Sequence, residues 1–128
     1  MIKSLGHVGI VVNDLDKTVK WYVDNLGFSV GRKIQNMDRG TRMVFLEING
    51  IECLEFFGFL DPKKALEGPT LKAEETGIKH ISFAVDDVKT TCETLQTLGV
   101  EFTTLLPERA TFKDLNGILI EIHPQRKT

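Results

Sequence analysis

The 128-residue chain carries a long internal repeat, which restricts it to folds built from two equivalent modules. One copy opens on His7-Val8-Gly9-Ile10-Val11-Val12-Asn13-Asp14-Leu15. The other opens on His80-Ile81-Ser82-Phe83-Ala84-Val85-Asp86-Asp87-Val88. Leu26-Gly27 follows the first histidine at nearly the distance at which Leu98-Gly99 follows the second. Each copy closes on an Asn-Gly pair and a short apolar strand carrying an acid, Glu55 in the first and Glu121 in the second. Matching positions for two histidines and two glutamates point to a site on the axis of a pseudo-symmetric fold.

Local patterns fill in each copy. Residues 5–12 are rich in β-branched side chains and read as a strand. Asn13 or Asp14 is placed to cap a helix, with Asp16 in its first turn. Val19, Tyr22, Val23 and Leu26 recur at helical spacing, and Gly27 ends the helix. Strands follow at 28–34 and 42–48, and Asn49-Gly50, a strong hairpin signal, leads into a strand at 51–57. Trp21 and Tyr22, on the helix, are expected to pack in the core. The same order returns as a strand at 79–85, a helix at 88–98, and strands at 100–105, 110–113 and 118–123. The expected fold class is α+β, two tandem βαβββ modules in one domain spanning 1–128. Module one covers 5–58, a polar connector 59–78, and module two 79–123. Pro62, Gly68 and Pro69 mark the connector, with a helical turn expected at 63–67.

Composition narrows the functional classes. A net charge of −2 leaves no basic footprint for nucleic acid or an anionic membrane, and the C-terminal Arg126-Lys127 is no more than a short basic pair. No apolar run approaches the roughly 20 residues of a membrane span, and no signal-peptide core follows Met1, so a cytoplasmic protein is expected. Cys53 and Cys92 lack metal or redox spacing and read as small buried hydrophobes.

Strand alternation separates the faces. Val8, Ile10 and Val12 form one face of the first strand, suited to lie beneath the module helix, while His7, Gly9 and Val11 form the other. Ile81, Phe83 and Val85 oppose His80, Ser82 and Ala84 in the same way. Ile118, Ile120 and Ile122 place Glu121 opposite the buried face of the last strand, and Leu54 and Phe56 do the same for Glu55. All four polar residues can therefore line the concave side of a curved sheet. Two imidazoles and two carboxylates form a nitrogen and oxygen donor set suited to Zn, Ni, Co, Mn or Fe(II), with positions left for water or substrate. His123 shares the face of Glu121 and is expected at the rim of such a site.

The chain resembles the vicinal oxygen chelate superfamily, which includes glyoxalase I, methylmalonyl-CoA epimerase, extradiol dioxygenases and the fosfomycin and bleomycin resistance proteins. The resemblance spans about residues 5–123. It rests on the two histidine-led strands, on Trp21-Tyr22 before Leu26-Gly27-Phe28, and on Phe112-Lys113-Asp114-Leu115-Asn116-Gly117, where Leu115 replaces a family proline. It implies a U-shaped mixed sheet around one divalent metal, Ni, Co or Zn, with His7, Glu55, His80 and Glu121 as ligands. Two histidines with two glutamates look most like glyoxalase I. The resemblance thus implies a metal-dependent lyase or isomerase moving a proton on a small-molecule substrate with vicinal oxygens, with Glu121 or Glu55 as the base. Arg109 and Arg42 are candidate substrate contacts, and family habit implies a homodimer.

The sequence departs from that pattern at one point. Val11 and Phe59 stand where glyoxalase I carries an arginine and an asparagine that bind glutathione. Alternative readings are an acyl-CoA epimerase of the methylmalonyl-CoA type, a non-catalytic drug- or metabolite-binding protein, and an iron dioxygenase.

Overall fold

The computed structural model describes residues 1–61 and 74–126. The helical turn expected at 63–67 lies outside the described residues. The chain divides into two compact units, residues 1–67 and 68–128.

The first unit runs β1 (Val8–Val11), α1 (Leu15–Leu26), β2 (Ser29–Asn36), β3 (Thr41–Ile48) and β4 (Ile51–Phe59). The second runs β5 (Ile81–Val85), α2 (Val88–Thr97), β6 (Phe102–Leu106), β7 (Arg109–Lys113) and β8 (Leu119–Pro124). Each unit is βαβββ and folds into one four-stranded mixed sheet, in the orders β1-β4-β3-β2 and β5-β8-β7-β6. The first and last strands of each unit pair in parallel and the remaining pairs are antiparallel. Both opening strands are shorter than expected: His7 and His80 stand just before β1 and β5 rather than within them.

Capping chemistry sets the helices. The Asp14 carboxylate accepts the Lys17 N–H at 3.0 Å, and the Asp87 carboxylate accepts that of Thr90 at 2.8 Å. Gly27 closes α1 in the left-handed conformation (φ 75°), its N–H donating to carbonyls of the last turn. Asn49 and Gly50, with φ of 51° and 77°, form the tight link between β3 and β4.

The first core gathers Leu15 and Tyr22 of α1 against Val44, Leu46, Leu54 and Phe56 of the sheet, all buried. Tyr22 packs its ring on Phe56 and Phe28 at centroid distances of 4.8 and 5.6 Å. The second gathers Val88, Cys92 and Leu95 against Phe112, Ile120 and Ile122. Cys92 is buried as expected, whereas Cys53 is only half-buried, its thiol directed at the Leu46 carbonyl. Among the described residues, no helix is long and apolar enough to cross a membrane.

Candidate metal and substrate site

The helix-facing side of each sheet is filled by the core, so the opposite face is where polar side chains can collect. In unit one, β1 and β4 align Gly9 with Glu55. His7, two residues before Gly9, reaches the same carboxylate, with Nε2 2.7 Å from Oε2. Glu55 is 8% exposed although flanked by two core residues, Leu54 and Phe56. Phe45, opposite Glu55 on β3, sets its ring edge-to-face with His7 at 5.4 Å.

Unit two repeats the register. Ser82, two residues after His80, aligns with Glu121 on β8. Here the carboxylate is held by other groups: the Ser82 hydroxyl donates to Oε1 at 2.9 Å, and Arg109 Nη1 lies 3.5 Å from Oε2. The Ser82 hydrogen bond, with the nearby charges of His80 and Arg109, keeps Glu121 below the usual carboxylate range against the opposing effect of burial. The same face carries Thr111, aligned with Glu121, whose hydroxyl pairs with that of Thr103 at 2.7 Å.

The turn before β8 presents Glu121 by a local device. The buried Asp114 carboxylate accepts the N–H groups of Asn116 and Ile118 at 2.8 and 2.9 Å, and Gly117 takes a positive φ of 81°. Leu115 therefore serves in this turn without a proline. His123, on the Glu121 side of β8, directs Nδ1 to its neighbour's carbonyl at Pro124, 2.7 Å away.

Arg109 lies beside Glu121. Arg42 does not join His7 and Glu55: it shares the helix-facing side of β3 with Val44 and Leu46 and reaches Asp16 of α1 at 3.3 Å. Two residues that strand alternation assigns elsewhere do join the His7 face. A register shift in β4 between its partners Leu46 and Glu47 sets Glu52 opposite Glu47, on the Glu55 side. A second shift in β2, between Val30 and Lys33, puts Arg32 beside Phe45. Arg32 grips Glu52 through Nε and Nη2 at 2.5 and 3.1 Å, its guanidinium 4.2 Å from the Phe45 ring centre.

The donor chemistry suits a divalent ion. In unit one an imidazole nitrogen and a carboxylate oxygen, the donor types that such an ion takes, already face each other 2.7 Å apart. Among the described residues, no three His, Cys, Asp or Glu side chains gather closely enough to hold a metal. What each unit supplies is two donors at matching register.

The model of the Glyoxalase/Bleomycin resistance protein/Dioxygenase superfamily matches residues 4–122. The chain belongs to this superfamily. An ethylmalonyl-CoA/methylmalonyl-CoA epimerase of Cereibacter sphaeroides is 32% identical over 101 residues, covering 77% of this chain and 73% of that protein. A probable lactoylglutathione lyase of Vibrio cholerae is 30% identical over 99 residues, covering 73% of this chain and 64% of that protein. The crystal structure of SMU.1112c superposes with a TM-score of 0.81 at 28% identity, covering 96% of this chain and 99% of that one. The two βαβββ units are thus the glyoxalase fold.

Proposed function

We propose that this member of the superfamily is a metal-dependent lyase or isomerase of the glyoxalase I type, with His7, Glu55, His80 and Glu121 as metal ligands. The observation that carries the reading is the repeated register. In both units the residue two beyond the histidine aligns with the glutamate. A divalent metal, Ni, Co or Zn, supplies a Lewis acid that stabilises negative charge on a substrate oxygen as the adjacent carbon loses its proton. The protein's own part is to take that proton on a carboxylate, Glu121 or Glu55, and return it to the neighbouring carbon or to the other face of the same one. Arg109 is poised to meet a substrate anion while still neighbouring Glu121.

Epimerisation of an acyl thioester is the second reading, favoured by the epimerase relative and by the apolar Val11 and Phe59. Neither side chain offers a polar partner for glutathione, and leaving a substrate's buried polar group unmatched costs about 1–3 kcal/mol. Metal analysis of protein purified without chelator tests the ligand set. Native protein is expected to hold divalent metal, and His80→Ala and Glu55→Ala should remain folded but lose most of it. Full metal retention in both variants excludes the assignment. The reaction is tested by α-proton exchange in heavy water. Exchange is expected with 2-substituted acyl-CoA thioesters, and little with the methylglyoxal–glutathione adduct. Turnover of that adduct at roughly 10 per second or more would show that glutathione is accommodated despite Val11 and Phe59. Absence of exchange with every carbonyl substrate would leave the fold as a binding protein.

The reading includes a homodimer, since each sheet ends in edge strands, β1 and β2 or β5 and β6, that need cover. Sedimentation should give twice the 14.4 kDa chain mass. The chain mass alone, at tens of micromolar protein (on the order of ordinary assay loads,), would exclude it.

A further inference from the structure

The Arg32–Glu52 pair lies outside the proposed ligand set yet on the same face of the same sheet, and two irregularities of strand pairing are required to put it there. Strict alternation from Glu55 sends Glu52 to the helix side. The shift in β4 returns it to the Glu55 side, while the shift in β2 sets Arg32 against Phe45. Bulges that re-aim side chains are over-represented next to active sites. Here both serve the same ion pair.

The geometry of the pair is that of a carboxylate receptor. Nε and Nη2 each meet one oxygen of Glu52, the fork arrangement by which a guanidinium takes a planar carboxylate. Phe45 lies against the guanidinium and fixes its plane, and the same ring touches His7. The fork therefore sits one phenyl ring from the proposed metal ligand. The Arg32 side chain is 60% exposed and that of Glu52 29% exposed, so solvent, and a ligand in it, can reach the guanidinium. A substrate carboxylate would take the place of Glu52 on the same two N–H groups, one carboxylate exchanged for another.

We propose that Arg32 is a specificity-determining residue that binds the carboxylate of the substrate, with Glu52 as the resident stand-in that the substrate displaces. The inference rests on the proton-transfer reading of the His7–Glu55 face and deepens it. It selects substrates with a carboxylate near the reacting carbon, as in a thioester of a 2-substituted malonate, over uncharged carbonyl compounds. Phe45 positions Arg32 and makes no contact of its own with the carboxylate.

The test is binding to the full-length, metal-loaded protein of a 2-methylmalonyl thioester and of its neutral methyl ester, measured by calorimetry and by the Arg32 Nε–H resonance. The acid is expected to bind more tightly than the ester and to shift that resonance, which the ester leaves in place. Arg32→Met should weaken acid binding about tenfold or more and leave ester binding within about twofold, with Arg32→Lys recovering part of the loss. Glu52→Gln, which removes the competing carboxylate, should tighten acid binding. Equal binding of acid and ester, equal losses for both in Arg32→Met, weaker acid binding in Glu52→Gln, or no binding of the acid would each overturn the inference. Failure of the metal reading is seen separately, as metal retention in His80→Ala and Glu55→Ala. The Arg32 resonance still reports carboxylate binding in that case.

Discussion

The two units share a fold and a register but hold their glutamates by different means. In unit one Glu55 takes its partner from the histidine directly, Nε2 to Oε2 at 2.7 Å, and Phe45 covers the pair. In unit two Glu121 is hydrogen-bonded by Ser82 and flanked by Arg109, beside a hydroxyl pair formed by Thr103 and Thr111. The residue aligned with the glutamate marks the change: Gly9 brings no donor side chain, whereas Ser82 brings a hydroxyl. One half of the repeat offers a donor pair on an aromatic floor, and the other an anion in a polar setting. Duplication fixes where the acids stand, and a few side chains beside them decide what each acid can do.

The two cores should differ most in what a truncated phenylalanine costs. Phe56 and Phe112 are both fully buried. Phe56→Ala and Phe112→Ala should each cost about 3–5 kcal/mol in denaturant unfolding. Each loses an aromatic partner, Tyr22 at 4.8 Å for Phe56 and Phe102 at 5.6 Å for Phe112, and Phe56→Ala is expected to cost more because Tyr22 is fully buried whereas Phe102 is half-buried. A larger loss at Phe112 would show that the smaller second core is the more tightly packed.

Exchanging the residues beside the acids sharpens the contrast. Ser82→Gly removes the donor to Glu121, so in metal-free protein its carboxyl should titrate at higher pH by carbon-13 NMR than in the native chain. Gly9→Ser introduces a hydroxyl beside Glu55, but its Cβ would stand 3.2 Å from Phe57. Crowding of that size should cost about 1 kcal/mol. An unmoved Glu121 titration in Ser82→Gly would show that Arg109 and His80 alone hold the acid ionised.

The smallest effects lie at the helix caps. Asp14→Ala should lower stability by about 1 kcal/mol, read from the urea midpoint. Asp87 caps the other helix and is held below its ordinary range, first by the Thr90 N–H. A depressed folded-state value means that its contribution is complete above the unfolded pKa and is lost as pH falls through the folded one. Asp87→Asn should therefore lower stability slightly at neutral pH, where the carboxylate's contribution is complete, and flatten the acid limb, the gap to the native chain closing below about pH 4. An unchanged acid limb would show that the cap does not report on folding.

Much of this was legible in the chain. Asp14, Gly27 and the Asn49-Gly50 pair bound their elements because caps and tight turns are set by near neighbours. Alternation put Glu55 and Glu121 opposite the buried faces because a strand's side chains must alternate. Where pairing stays regular, the prediction holds. The places of Glu52 and Arg32 were not legible, because a bulge arises between partner strands and leaves no period in either. Local patterns suffice for two βαβββ units with a histidine and a glutamate at equivalent places in each. Packing between strands and helices is what sends Arg42 to Asp16 and Arg32 to the His7 face, and what sets Ser82 rather than His80 on Glu121. The physical reason is that a side chain's partner is set by which strand or helix lies across from it, a contact between residues far apart in the chain that no local pattern encodes.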